Sequence, residues 1–124
     1  MAKGIVITPD NRISEQEFPE PVYDTVGKAV GGGVQVVRPE GLAQPFCMCV
    51  DEAGLLREKP EFNLVGSILY GTGVHGNPIA GTIVLMKETG KGENRRLAGL
   101  SPEEAQAVRN VAEFIIRNAT ARKR

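Results

Sequence analysis

Gly81 to Arg117 reads GTIVLMKETGKGENRRLAGLSPEEAQAVRNVAEFIIR, and two periodicities follow one another within it. The run from Gly81 to Met86 is dense in β-branched and aliphatic side chains, which predicts a strand over 82–87. Lys87 to Arg96 is polar and predicts a surface loop or ragged hairpin. Ser101, Pro102 and Glu104 then form a helix start. The serine is placed to cap, proline suits the first helical position, and the glutamate sits where a capping box needs its carboxylate. Ala105, Val108, Val111, Ala112, Ile115 and Ile116 recur at helical spacing and predict an amphipathic helix over 103–118. A strand and a helix that must each bury one apolar side point to an α+β fold, with helices layered on one side of the sheet.

The same reading extends toward the N-terminus. KGIVIT, residues 3–8, predicts a strand, and Pro9, Asp10 and Asn11 predict a turn. RISEQE, residues 12–17, predicts a polar edge strand completing a hairpin. Pro21 opens a helix over 21–30, whose Val22, Val26, Ala29 and Val30 form one stripe, and Gly31 ends it as a C-cap. Strands over 34–38 and 46–50 are close enough to pair antiparallel. Asn63 to Tyr70 predicts a short helix. The whole is expected to be one α+β domain over residues 1–124, a small mostly antiparallel sheet with helices packed against it. Residues 119–124 are expected as a frayed basic tail.

Composition bounds the function. The chain has 124 residues, with 15 Lys or Arg balanced by 15 Asp or Glu, and 41% apolar side chains. That supports one modest core and excludes a charge-rich disordered chain. No window holds the unbroken apolar run of a membrane span. The N-terminal apolar run ends at Pro9, too early for a secretory signal, so a cytoplasmic location is expected. Charge is unevenly spread: residues 1–60 carry nine acidic and six basic side chains, and residues 61–124 the reverse. The terminal cations are read as a solvated helix end, which the helix dipole favours. The aromatic side chains are scattered and do not form a stacking platform for single-stranded nucleic acid, so nucleic acid is not an expected partner.

Cys47 and Cys49 lie two apart on a predicted strand and would share one face, where they read as buried, reduced thiols. Two cysteines make neither a disulfide scaffold nor a metal site, and no metal or cofactor is expected. Gly31, Gly32 and Gly33 read as a cap and close backbone approach; lining a cleft, they would set Arg38 near an anion.

The segment Gly71–Gly81, GTGVHGNPIAG, is the least generic. Its glycines carry the bare letters G-x-G-x-x-G, but a strand follows where a dinucleotide site needs a helix. Tyr70, Thr72, His75 and Asn77 are the candidate residues for a ligand or partner. His75 is the sole histidine, and no partner carboxylate is placed beside it by spacing, so no catalytic residue is assigned.

Several segments, in this order, carry a family likeness. They are KGIVITPD, the helix ending in Gly31-Gly32 with VQVVRPEGL after it, FCMCVDEAGLL, NPIAGTIVLM and the closing SPEEA helix. Together they resemble a small domain of phage, plasmid and bacterial mobile-element proteins, domain of unknown function 3846. The resemblance implies a small intracellular α+β domain and supplies no catalytic residue to carry over. The reading favoured is a non-enzymatic binding or regulatory accessory module of a phage or mobile element, its partner a protein or small molecule. Self-association through a sheet edge or apolar helix face is a natural outlet for so small a core. The alternative is a small hydrolase or transferase acting on a phosphorylated metabolite through His75, a carboxylate and glycine-loop N–H groups.

Overall fold

A computed structural model gives the structure of residues 1–122, with every side chain except those of 74, 75 and 120–122. Six strands form one antiparallel sheet: β1 (Ala2–Ile7), β2 (Ile13–Phe18), β3 (Val34–Val37), β4 (Phe46–Asp51), β5 (Ile83–Thr89) and β6 (Arg96–Ala98). Their lateral order is β2-β1-β5-β4-β3. Strand β6 continues β1's side of β5, pairing with Lys87, Glu88 and Thr89 where β1 pairs with Ile83, Val84 and Leu85. The polar segment after β5 is therefore a true hairpin, turning through Gly90 and Gly92, both at positive φ. The two predicted hairpins form as expected, with Ile7 opposite Ile13 and Val36 opposite Cys49.

Four helices accompany the sheet: α1 (Val22–Val30), α2 (Leu64–Tyr70), α3 (Thr72–His75) and α4 (Pro102–Arg122). The α4 start is the capping box read from the sequence. Ser101 Oγ accepts the Glu104 N–H at 3.1 Å, and Glu104 Oε1 accepts the Ser101 N–H at 2.8 Å. Glu104 also accepts from Lys87 Nζ at 2.8 Å, which ties the helix start to β5. Of the predicted basic tail, residues 119–122 continue α4, side chains from 120 onward go undescribed, and 123 and 124 lie outside the described residues.

The helices cover both faces of the sheet, not one. Val22, Val26 and Val30 of α1 pack on Val6, Cys47, Cys49, Val84 and Met86. Val65 and Leu69 of α2, with Ala105, Val108 and Ala112 of α4, pack on Ile5, Ile7, Met48 and Leu85 opposite. The one-sided layering expected from the sequence fails because the central strands are apolar at successive positions. Ile5-Val6-Ile7 and Ile83-Val84-Leu85-Met86 send buried side chains to both faces, as strands covered twice do. Gly4 sits where a Cβ would come within 2.7 Å of Val84 Cγ1, so glycine there lets Val84, Met86 and Phe18 close over β1.

One buried polar side chain organises the turn into α2. Asn63 is fully buried, and its Nδ2 donates to the Ile7 carbonyl at 3.0 Å and the Gly81 carbonyl at 2.9 Å. Its Oδ1 accepts the Gly66 N–H at 2.8 Å as the α2 N-cap. The amide thus joins the end of β1, the approach to β5 and the start of α2 with every bond satisfied. Among the described residues, no helix is long and apolar enough to cross a membrane.

Candidate functional site

The segment after α2 folds on itself. Gly71, at φ 89, closes α2 by donating to the Ser67 and Ile68 carbonyls, both at 3.2 Å. A single turn, α3, follows and is closed by Gly76 at φ 83. Glycine is required at both positions because a Cβ disfavours this left-handed backbone. Thr72 Oγ1 donates to the Asn77 carbonyl at 2.9 Å, and Ser67 Oγ accepts the Ile79 N–H at 2.9 Å. The segment is thereby laced back onto α2.

Tyr70 and Asn77 come together on one groove of about 290 Å³. Gln35 and Val37 of β3 and Val50 of β4 contribute from the sheet, and Pro78 accompanies Asn77. Thr72 does not line it; its hydroxyl is spent inside the segment. The His75 side chain lies outside the described residues. Sequence reading missed Gln35 and Val37. The signal was present: Val34-Gln35-Val36-Val37 is a strand without a charge, at the margin of the sheet.

Hydrogen-bond parity along β3 shows which groups that margin presents. The Glu52 N–H donates to the Gly33 carbonyl at 3.0 Å, so Gly33 points its backbone polar groups toward β4. In an antiparallel ladder this orientation alternates. Gln35, opposite Val50, and Val37, opposite Met48, therefore also point inward. Val34 and Val36 point their N–H and C=O groups outward, and among the described residues no strand pairs with that side. Their side chains lie on the α1 face, half-buried against its cluster, while Gln35 is exposed on the groove face.

A second cavity, about 480 Å³, opens at the end of the sheet where β1 and β4 finish and β5 begins. Asp51 is buried there. Its carboxylate accepts from Arg57 Nε at 3.0 Å and Nη2 at 3.2 Å, and from the Ala53 N–H at 3.0 Å. Burial works to raise the Asp51 pKa, but the Arg57 guanidinium and the Ala53 N–H outweigh it and hold the carboxyl below its ordinary value. Arg57 Nη2 also donates to the Gly31 carbonyl at 3.0 Å. The guanidinium beside the glycine cluster is thus Arg57, not Arg38, which pairs with Glu88 at 3.2 Å. Asp10, Glu61 and Lys59 share this cavity, so its charge is mixed and does not select an anion. The Asp51 carboxylate is thus already committed to Arg57 and the Ala53 N–H.

Cys47 and Cys49 are free, buried and on one face. The neighbouring Cys47 thiol and burial push the Cys49 pKa far upward, which keeps that sulfur a thiol rather than a nucleophile. Among the described residues, no three His, Cys, Asp or Glu side chains group as metal ligands would.

No curated protein and no solved structure matches the chain. One family model does, Domain of unknown function (DUF3846), over residues 2–113, the span that holds the whole sheet, the groove and most of α4. The chain therefore belongs to the DUF3846 family.

Proposed function

We propose that this protein is a non-enzymatic binding module, acting in the cytoplasm as an accessory of a phage or other mobile element, that takes an extended protein segment along β3. The observation that carries this reading is the open β3 margin lying directly beside the Tyr70–Asn77 groove. Outward N–H and C=O groups of Val34 and Val36 supply main-chain hydrogen bonds to an added strand. Alternate side chains of that strand then fall on the groove face, where Val37, Val50 and Tyr70 favour an apolar residue and Gln35 and Asn77 offer polar contacts. Affinity comes from the backbone and selectivity from the groove.

Panning a random peptide library on the purified protein tests this. Enriched peptides should carry apolar residues at every second position. Val36→Pro removes an outward N–H at a strand margin that tolerates proline, and should abolish their binding. Tyr70→Ala should weaken binding about tenfold, the usual scale of an interface aromatic. Peptides that bind folded Val36→Pro and Tyr70→Ala proteins as tightly as the parent would reject the site.

A further inference from the structure

We infer that the strand seated on β3 is β3 of a second copy of this chain, paired antiparallel about a two-fold axis through Gln35. This rests on the strand-accepting reading of β3 above and names its occupant.

Parity allows the pairing. Residues that face each other in an antiparallel pair lie on the same side of the sheet, so an axis perpendicular to the sheet must pass through a residue. Centred on Gln35, it sets Val34 of one copy opposite Val36 of the other, twice. These are the two residues whose N–H and C=O groups point outward, so every outward group of the strand gains a partner. Gln35 meets its own copy as a non-hydrogen-bonded pair, amide facing amide. The four valines meet on the α1 face, where each is only half-buried in one copy. Beyond them Gly33 falls opposite Val37, with the Glu52 carboxylate occupying the space that a side chain at Gly33 would take.

Charge selects this margin over the other. Strand β3 itself carries no ionised side chain, so Val34–Val37 of two copies meet without like charges facing each other. Strand β2 exposes Glu15 and Glu17, and a β2 pair would bring like carboxylates together across the seam. Of the two strands that end the β2-β1-β5-β4-β3 order, β3 is thus self-complementary and β2 self-repelling, and pairing through β3 alone closes the assembly at two copies.

Cysteine scanning with native mass spectrometry tests the pairing. The parent should show twice the chain mass, reverting to the single mass on dilution. In a non-hydrogen-bonded pair the facing Cα atoms lie about 4.5 Å apart, within disulfide reach. Gln35→Cys, treated with oxidised glutathione, should run as a dimer on a denaturing non-reducing gel. Val36→Cys should not, because it faces Val34 of the other copy. Both variants are first shown folded by thermal melting, and the native cysteines are buried. Cross-linking through Val36→Cys but not Gln35→Cys overturns this pairing. A parent that stays monomeric at its highest soluble concentration overturns the second copy as occupant. If such a monomer still binds the selected peptides, the strand-accepting reading stands; if it binds none, that reading falls too.

Discussion

Strand β2 carries exposed Ser14, Glu15, Gln16 and Glu17, whereas β3 offers Gln35 among valines. Both strands border the same sheet and both face the problem of unpaired backbone groups. On β2 the solution is charge, which deters another strand. On β3 no such guard exists, and the surroundings are built differently. Strand β2 is backed by β1 and by α4, which also contacts it. Strand β3 is backed by β4 and contacted by α1, and its entry is anchored through the Asp51–Arg57–Gly31 clip. An edge kept uncharged and locally anchored is one prepared to meet a strand.

The largest stability effect is expected at that anchor. Asp51→Ala removes the partner of Arg57 and of the Ala53 N–H, and should cost about 2 kcal/mol in denaturant unfolding, the scale of losing buried charge-assisted hydrogen bonds. Acid sharpens the assignment. The folded Asp51 pKa lies below its unfolded value, so its stabilisation is complete above the unfolded value of about 4 and is lost as pH falls through the folded one. Glu104 is held low in the same way, by Lys87 and the Ser101 N–H. The parent should lose stability on acidification below about pH 4, and Asp51→Asn should flatten part of that loss. An unchanged acid limb in Asp51→Asn would show that the clip does not hold the β3 side.

A smaller loss is expected on the β2 side. Ser101→Ala deletes the α4 cap and should cost about 1 kcal/mol. Hydrogen exchange should then rise in the first turn of α4 and leave β3 unchanged. Faster exchange in β3 would mean that the two margins are not stabilised separately.

The smallest stability change, with the clearest change in assembly, should follow from erasing the β2 charges. Glu15→Thr with Glu17→Thr should alter unfolding by within about 0.5 kcal/mol, since the Lys3–Glu15 pair is long and partly exposed. With both edges uncharged, light scattering should report species larger than the parent assembly. A double variant with parent-like scattering would show that the carboxylates do not guard β2.

Much of the fold was legible because local chemistry fixed it. The Ser101-Pro102-Glu104 start, the strand at Ile83–Met86 and the glycine that ends α1 each depend on near neighbours in sequence. The covering of both sheet faces was also written in Ile5-Val6-Ile7, but a short apolar run does not distinguish a strand buried twice from one buried once until its neighbours are known. The candidate site was half legible. Tyr70 and Asn77 stood out between glycines, yet the residues that complete their groove, Gln35, Val37 and Val50, are distant in sequence.

The sequence by itself determined most of the elements, the main caps and turns, the pairing of adjacent strands and the contrast between a charged second strand and an uncharged third. These follow from periodicity, backbone preference and charge, which act over a few residues. Tertiary structure alone decided that β5 lies between β1 and β4, that β3 ends the sheet, and that Arg57 rather than Arg38 meets the first glycine cluster. It also made Asn63, the α2 N-cap, the clip between β1 and the approach to β5. Each of these joins residues far apart along the chain. Such contacts form only when closing the loops between them is offset by burying both faces of one sheet, a balance no local pattern records.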